Sequence, residues 1–239
     1  MVAITDLGFR YGYGVFETLT VRAGVARWRD WHEESLRAAA AALGLAAPDW
    51  SPLTVSPPGD GLWRWYLTPS GLRTWFQPGL PPLPAGYRVE WSPLRVSASA
   101  WDARYKTLSY LTHYQAKLQG RGDEALLLNE RGEVATAAMA NVFWSKDGVL
   151  FTPLTVCGCR AGVVRRWVLE QSGADVRETV ARPATLAAAD EIFLTNSRIG
   201  IMPVAEFDGR SLAAGPLTVS LRERFLVTES HREGTENSI

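Results

Sequence analysis

The sequence predicts an α+β protein with a small N-terminal domain and a larger C-terminal domain. Segments with strand and helix patterns follow one another without strict βαβ alternation, which favours layered α+β domains over a doubly wound sheet. A chain of 239 residues is long enough for a sizeable core, in one large domain or two smaller ones. Residues 77–86 contain four prolines and two glycines, which fit poorly inside a helix or a sheet. We therefore predict domains at 1–76 and 87–239, joined by a linker at 77–86.

The N-terminal domain is predicted to contain two strands separated by a helix. Residues 15–21 have the β-branched, partly alternating pattern of a strand, and Gly24 then supplies a turn. Residues 30–45 are rich in good helix formers and include an alanine run. Residues 62–67 are predicted to form a tryptophan-rich strand.

The C-terminal domain is predicted to contain five strands and two helices. The strands are apolar runs bounded by turn residues, and the helices have amphipathic patterns. The predicted strands are 88–96, 124–128, 141–144, 149–152 and 191–195, and the predicted helices are 110–118 and 162–171. A turn is expected at Gly132-Glu133, before the third of these strands.

The composition argues against several classes of function. Lys+Arg and Asp+Glu both number 25, so no net charge would attract nucleic acid or an acidic membrane surface. The sequence has no apolar run long enough to span a bilayer and no visible export signal, so we expect a cytoplasmic protein. Cys157 and Cys159 are expected to be reduced. The three histidines are too dispersed for a metal site and are interpreted as surface or capping residues.

Lys106 is the main candidate for a catalytic residue. It lies in an apolar run, 105–111, directly before a predicted helix. An amine among apolar neighbours loses hydration, which lowers its pKa and leaves a free base that attacks carbonyl groups. Taken alone, a lysine at the start of a helix is more often a surface residue.

Several segments, in order along almost the whole chain, resemble the class IV (fold-type IV) aminotransferases, which use pyridoxal 5'-phosphate (PLP). Residues 12–18 are similar to the family's G-D-G-V-F-E-T, and His32 falls at the histidine of its H-x-x-R helix. Residues 106–111 resemble its lysine segment, K-T/S-L-N-x-L. Further similarities occur at 123–128 (D-E-A-L-L-L), 141–143 (N-V/L-F), 152–153 (T-P), 162–165 (G-I-T-R), 189–197 (A-D-E-V-F-L-T-N-S) and 202–204.

The resemblance implies the D-amino-acid aminotransferase-like PLP fold, a homodimer and a small amino substrate. It also implies roles for individual residues. Lys106 would bond covalently to PLP and then move the substrate proton. The residues implied to bind the cofactor phosphate are the helix start Gly162, Val163 and Val164, together with Ser197. Phe16 and Glu17 are expected to line the substrate side. Arg64, Arg104 and Arg198 are candidates for binding the substrate carboxylate.

The sequence departs from the family pattern at two important positions. Ser35 stands where the family has an arginine that binds the phosphate, and serine offers only an uncharged hydrogen bond. Arg37 is turned too far around the helix to replace it. Thr136 stands where the family has a glutamate that keeps the pyridine nitrogen of PLP protonated. We expect Ser35 and Thr136 to contact the cofactor as weaker, uncharged ligands. A third departure, Tyr13 for the aspartate of G-D-G, has no evident consequence.

These departures favour one branch of the family. A hydroxyl at position 136 weakens the cofactor as an electron sink, and an elimination that produces an aromatic ring needs that sink less than a transamination does. Residues 140–144 also resemble the A-N-L-F-W of the 4-amino-4-deoxychorismate lyases. The expected function is therefore this lyase, which forms 4-aminobenzoate and pyruvate in folate precursor synthesis. A branched-chain or D-amino-acid aminotransferase and a degenerate paralogue with altered ligand binding are the alternatives.

Overall fold

The chain folds into two compact units. The computed structural model describes residues 3–236, with side chains up to residue 228. Unit 1 comprises the chain up to Pro82 together with Tyr105–Tyr110, and unit 2 comprises Leu83–Arg104 and the chain from Leu111 onward. The boundary at Pro82 falls within segment 77–86. The assignment of Tyr105–Tyr110 to unit 1 differs from the continuous C-terminal domain expected from the sequence.

Unit 1 consists of a four-stranded antiparallel sheet and two helices. Its elements are α1 (Leu7–Tyr11), β1 (Val15–Arg22), β2 (Val25–Ala26), α2 (Arg29–Ala42), β3 (Gly61–Thr68) and β4 (Gly71–Pro78). The strand order is β2-β1-β3-β4. The two predicted strands and the predicted helix of this region are confirmed, whereas β4 was not predicted.

The alternation of β1 separates a core face from an open face. Val15, Leu19 and Val21 are fully buried in one cluster with α2 residues such as Leu36. Because side chains alternate along a strand, Phe16 lies on the opposite face. The cross-strand pairing of β1, β3 and β4 also places the neighbouring side chains of these strands on that face. We call this side of the sheet the open face.

The predicted linker begins two residues too early. Gln77 and Pro78 are the last residues of β4 and pair with Leu62 and Gly61 of β3. A proline is tolerated there because β4 is an edge strand, so that the missing N–H removes no bond to a further strand.

Unit 2 is built around a mixed sheet of nine strands. The strand order is β10-β9-β8-β11-β12-β5-β6-β7, and β13 pairs with β12. The strands are β5 (Tyr87–Val96), β6 (Glu124–Asn129), β7 (Val134–Ala137), β8 (Asn141–Lys146), β9 (Val149–Pro153), β10 (Val176–Thr179), β11 (Glu191–Asn196), β12 (Gly200–Phe207) and β13 (Arg210–Ser211). The helices are α3 (Trp101–Arg104), α4 (Leu111–Gln119), α5 (Val163–Glu170), α6 (Pro183–Ala187) and α7 (Pro216–Glu236).

All predicted strands and helices of unit 2 are confirmed, but several elements were missed. The strand β12 contains Pro203 opposite Phe193, and a proline argues against a central strand. The short strand β7 was not predicted, although its four residues are all buried. This matters for the site because Thr136 belongs to β7.

Three further properties concern membranes, metals and thiols. Within residues 3–236, every helix falls short of the length and apolarity needed to cross a bilayer. The described residues also contain no group of three His, Cys, Asp or Glu side chains that could hold a metal ion. Both cysteines are free and buried.

Candidate active site

The backbone around Lys106 is fixed by the edge of β1. The amide of Phe16 donates to the Lys106 carbonyl at 2.8 Å, and the amide of Leu108 donates to the Gly14 carbonyl at 2.9 Å. These bonds flank an antiparallel bridge between Val15 and Thr107. In this register Lys106 lies opposite Phe16, and directly opposed residues share a face. Lys106 is therefore on the open face of the unit 1 sheet.

Two glycines of unit 1 allow the lysine segment to lie this close. Gly12 has φ +67°, and a Cβ there would lie 2.9 Å from backbone atoms of Ser109. A Cβ on Gly14 would lie 2.6 Å from the Leu67 carbonyl oxygen and would also meet the Leu108 side chain. Glycine is therefore required at both positions for steric reasons, because side chains there would displace the segment that carries Lys106.

Aromatic rings surround the amine. Lys106 Nζ lies 4.7 Å from the centroid of the Phe16 ring and 5.8 Å from that of Tyr110. Phe16 stacks on Tyr66 of β3, with ring centroids 6.1 Å apart, and meets Tyr110 edge to face at 5.5 Å. Lys106 is half-buried. The amine thus lies in an aromatic setting that reduces its hydration while the ring faces attract its positive form.

Glu17 points the other way, into the core between β1 and α2. Its carboxylate accepts hydrogen bonds from His32 Nδ1 at 2.8 Å and from the Ser35 hydroxyl at 2.9 Å. Glu17 is 6% exposed and His32 is 2% exposed.

The interpretation of His32 as a surface or capping residue was wrong, because its ring is needed to satisfy a buried carboxylate. The same interpretation was wrong for His113, which is buried with Nδ1 3.0 Å from the Ala138 carbonyl, whereas the His231 side chain lies outside the described residues.

The environment of Glu17 favours its ionised form. Burial alone would raise the pKa of this carboxyl, but the hydrogen bond from His32, the charges of His32 and Lys106, and the bond from Ser35 outweigh burial. The net result is a pKa below the ordinary value for glutamate. The Ser35 hydroxyl, expected to face a phosphate, donates its proton to Glu17 instead, and Glu17, expected on the substrate side, faces α2. Arg37 pairs with Glu33 at the surface.

In unit 2, Gly162 is the N-cap of α5 and Val163 and Val164 form its first turn. The N-cap, a glycine, makes no side-chain hydrogen bond to the first amides of the helix. The first amides of a helix have no partner within the helix, and together with the helix dipole they favour an anion. Val164 is 1% exposed, so its side chain anchors the helix in the core. Its backbone amide is one of the first amides of the helix.

Asn141 and Thr195 lie beside this helix start. They are direct partners across β8 and β11, so their side chains share a face of the sheet. A Cβ on Gly162 would lie 2.3 Å from Asn141 Oδ1. The Thr195 hydroxyl is buried and has no hydrogen-bond partner among the described residues. Ser197, predicted from the sequence, follows two residues later in the half-buried turn between β11 and β12.

Thr136 is buried in β7, and its hydroxyl is engaged with the backbone. It lies 3.0 Å from the Ala137 carbonyl oxygen and 2.9 Å from that of Ala140. A hydroxyl has one proton, so this proton is shared between two internal carbonyls that close the turn from β7 to β8. The predicted contact of this hydroxyl with the cofactor would compete with these two bonds.

Each unit, taken by itself, presents groups that suit one part of a cofactor. An amine in an aromatic setting suits the aldehyde of a cofactor, and an uncapped helix start with nearby hydroxyls suits a phosphate. The donor set of the chain therefore fits PLP, a phosphorylated aldehyde. These are the groups that the family resemblance implies for a PLP enzyme.

Comparisons with known proteins agree. The family described as amino-transferase class IV matches residues 72–207. A protein of Methanocaldococcus jannaschii, provisionally named a branched-chain-amino-acid aminotransferase, is 30% identical over 94% of this chain and 90% of its own. Aminodeoxychorismate lyase of Vibrio harveyi is 28% identical over 85% of this chain and 86% of its own. The crystal structure of 4-amino-4-deoxychorismate lyase from Pseudomonas aeruginosa has a TM-score of 0.83 at 28% identity and covers 94% of each chain.

The chain therefore belongs to the class IV aminotransferase family and is a PLP-dependent enzyme. The predicted fold, family and cofactor are confirmed. Tyr66, Asn141 and Thr195 were not among the site residues predicted from the sequence. Alternation along β3, β8 and β11 was the only signal for these residues, and using it requires knowing which strands are neighbours.

The buried pair of Glu17 and His32 predicts a specific pH dependence of stability. At a pH above 4.5, the ordinary pKa of glutamate, the carboxylate contributes its full stabilisation. As the pH falls below that value, the unfolded chain takes up a proton more readily than the folded chain, and this contribution is lost. We expect Glu17→Gln to cost about 1–3 kcal/mol near neutral pH and to flatten the acid dependence of the free energy of unfolding.

Urea unfolding of the wild type and the variant at a series of pH values measures this effect. Glu33→Gln is the matched control, because Glu33 is a glutamate of α2 that pairs with Arg37 near the surface. That control should change the free energy of unfolding by less than about 1 kcal/mol. Equal acid dependence in the wild type and Glu17→Gln would show that the pair does not hold an ionised carboxylate.

Proposed function

We propose that this enzyme is a lyase that converts 4-amino-4-deoxychorismate into 4-aminobenzoate and pyruvate, a step of folate precursor synthesis. The observation that carries the proposal is the state of Thr136. Its hydroxyl is bonded to the carbonyls of Ala137 and Ala140, at the position where the family resemblance implies a glutamate. The lyases among the relatives and solved structures support the same choice.

Thr136 bears on the reaction type through the ring nitrogen of the cofactor. A carboxylate keeps that nitrogen protonated, whereas a neutral hydroxyl does not hold a proton on it. To donate its own proton there, Thr136 would have to give up a backbone hydrogen bond in a buried turn, which is costly. Transamination depends strongly on a protonated cofactor ring. An elimination that generates an aromatic product has its own driving force and depends on the ring less.

Lys106 is the proposed acid–base group of this reaction. Bound PLP would withdraw electrons from the substrate carbon that carries the amine and so acidify the C–H bond of that same carbon. The Lys106 amine takes that proton, the ring carbon–oxygen bond to the enolpyruvyl group breaks, and the ring becomes aromatic. The proton returns to the enolpyruvate carbon, which gives pyruvate. The atoms balance without water, oxidant or reductant.

The open face of unit 1 offers cations for the substrate carboxylates. Tyr66 pairs with Arg73, and Arg64 lies two residues before Tyr66, so both arginines share the face of Lys106 and Phe16. Arg64 donates to Gln77 at 3.2 Å and stacks over the Trp75 ring. These two contacts fix the direction of the Arg64 side chain. Aminodeoxychorismate carries two carboxylates and a ring, which suits a face with two arginines and several aromatic side chains.

The other two candidate arginines have weaker support. Arg104 is an exposed residue of α3 in unit 2. Arg198 is exposed in the turn after β11, where its guanidinium donates to the Tyr87 hydroxyl at 3.1 Å. Arg64 is therefore the proposed carboxylate ligand.

Two alternatives remain in the proposal. A branched-chain or D-amino-acid aminotransferase is favoured by the relative from Methanocaldococcus jannaschii, which matches 94% of this chain. A degenerate paralogue is favoured by the engagement of both replacement hydroxyls, Ser35 and Thr136, with internal partners. Substrate assays distinguish the first, and cofactor binding distinguishes the second.

The lyase assignment predicts products and a spectroscopic signature. The purified protein with PLP should show the visible absorption band of lysine-bound PLP, and Lys106→Ala should lose it. Aminodeoxychorismate should yield 4-aminobenzoate and pyruvate in equal amounts. Arg64→Gln should raise KM by roughly 10–100-fold, since it removes a charge-assisted bond to a carboxylate, and should leave the band unchanged.

Each alternative has its own result. Turnover of D-alanine or L-leucine with 2-oxoglutarate, without formation of 4-aminobenzoate, would replace the lyase by an aminotransferase. Absence of the band from both the wild type and Lys106→Ala would indicate the degenerate paralogue. A band that persists in Lys106→Ala would place the reactive amine elsewhere.

Thr136→Glu tests the argument about the cofactor ring. A carboxylate at this position should hold the ring nitrogen protonated and accelerate the transamination half-reaction with an amino acid by at least about tenfold, equivalent to about 1.4 kcal/mol in the barrier. Thr136→Gln is the control, because it has nearly the same size and breaks the same backbone bonds without a charge. Equal half-reaction rates in the two variants would refute the argument.

We also propose a homodimer, as the family resemblance implies. Leu111, Tyr114 and Leu118 of α4 are more than half exposed and lie on one helix face, while His113 and Ala116 are buried. A second copy of the chain fits this apolar face, because equal numbers of acidic and basic residues leave no net repulsion between copies.

Sedimentation velocity should detect a dimer that Leu118→Lys weakens and that Val55→Lys, at an exposed apolar residue of unit 1, leaves intact. A monomeric wild type would refute this.

A further inference from the structure

Asn141 joins three parts of unit 2 at the start of α5. It is the first residue of β8, is 7% exposed, and pairs with Thr195 of β11. Its side-chain Nδ2 donates to the Arg160 carbonyl at 2.8 Å and to Cys159 Sγ at 3.1 Å. One amide group therefore connects the central sheet to the segment that leads into the helix.

The same segment is closed by a second bond. The amide of Gly162 donates to the Arg160 carbonyl at 3.0 Å, so this oxygen accepts from both Gly162 and Asn141. On the other side of the Asn141 side chain, Oδ1 is so close to Gly162 that a Cβ there would lie 2.3 Å away. Asn141 thus fixes the position of the N-cap by two donated bonds and one steric contact.

Apolar burial holds the direction of α5 but makes no hydrogen bond to its first amides. Val164 in the first turn, and Trp167 and Val168 further along, are at most 1% exposed and anchor the helix in the core. The N-cap lacks a side-chain hydrogen bond of its own. Helix ends without a cap tend to fray, because their first amides gain nothing from staying in place. The bonds made by Asn141 supply this restraint from outside the helix.

The alignment of the first α5 amides matters more for phosphate binding in this chain than it would if the family arginine were present. The family arginine that binds the phosphate is replaced by Ser35, whose hydroxyl donates to Glu17. The helix start must then provide a larger share of the phosphate binding. The Thr195 hydroxyl, 1% exposed and without a hydrogen-bond partner among the described residues, lies on the same sheet face as Asn141. A buried hydroxyl of this kind indicates a site that an oxygen-bearing ligand or a bound water completes.

We propose that Asn141 is a positioning residue that clamps the segment from Cys159 to Gly162 and so presents the first amides of α5 to the cofactor phosphate. This inference rests on the assignment of the α5 start as the phosphate site. It does not depend on which substrate the enzyme uses. Asn141 acts through the helix and does not itself touch the cofactor.

The test compares PLP with pyridoxal, which lacks the phosphate. Tryptophan fluorescence titration gives the Kd of each compound for the wild type, Asn141→Asp and Asn141→Ala. Asn141→Asp keeps the size of the side chain but loses both N–H donors. Either variant should weaken PLP by roughly tenfold or more and leave the Kd of pyridoxal within about twofold, so that the preference for the phosphorylated form falls. Inorganic phosphate should compete with PLP in the wild type and less well in the variants.

A second measurement reports on the clamp directly. Cys159 is buried, and burial raises the pKa of its thiol, so it should react slowly with a thiol reagent in the folded wild type. Loss of the Asn141 bond should increase the rate of modification of Cys159, identified by mass spectrometry, at least about tenfold more than that of Cys157. Added phosphate should slow the reaction in the wild type.

Ser172→Ala is the matched control. The Ser172 hydroxyl is buried and donates to the Val168 carbonyl at the other end of α5, so its loss perturbs the same helix away from the phosphate. This variant should keep the preference for PLP. Equal weakening of PLP and pyridoxal in both Asn141 variants, unchanged PLP affinity, or a wild type without preference for PLP would overturn the proposal. A preference that is present and sensitive to Asn141, without formation of 4-aminobenzoate, would reject the lyase and leave the clamp standing.

Discussion

The structure of the candidate site depends on one stretch of backbone pairing, between the edge of β1 and the segment that carries Lys106. Two main-chain hydrogen bonds set the register at the bridge from Val15 to Thr107. A shift by one residue would turn Lys106 from the open face toward the core, because side chains alternate along extended backbone. The glycines at 12 and 14 remove the side chains that would prevent this contact. Backbone geometry, more than any side-chain contact, decides where the Lys106 amine lies.

Because side chains alternate along β1, the neighbouring residues Phe16 and Glu17 lie in different environments. Phe16 meets Lys106 and Tyr66 on the open face, while Glu17 lies on the α2 side and is held by His32 and Ser35. An ionised carboxylate at 6% exposure is stable only because hydrogen bonds reach both of its oxygens. Ser35, which stands where the family has an arginine, therefore helps to stabilise the buried charge of Glu17 in this chain.

Both departures from the family pattern follow the same principle. Ser35 and Thr136 each replace a long charged side chain by a short hydroxyl, and each hydroxyl donates to an acceptor within its own unit. Short hydroxyls bond to nearby groups more readily than they reach a ligand. Their proposed consequences differ, since one concerns phosphate binding and the other the reaction type. Under the two proposals, the chain would rely more on the start of α5 for the phosphate and on an aromatic product for the driving force.

The sequence by itself determined the local elements, the family and the candidate lysine. Hydrophobic periodicity is a local property, so strands such as 15–21 and helices such as 162–171 could be predicted within a few residues, and ordered motifs identified the PLP-dependent class. It did not reveal β7, the buried role of His32, the engagement of Ser35 and Thr136, or the neighbourhood of Asn141, Thr195 and Gly162. These depend on which strands are adjacent and in which register, and residues 15 and 107, or 141 and 195, are far apart in sequence. Only the tertiary structure decided them, because hydrogen bonds and burial act between neighbours in space.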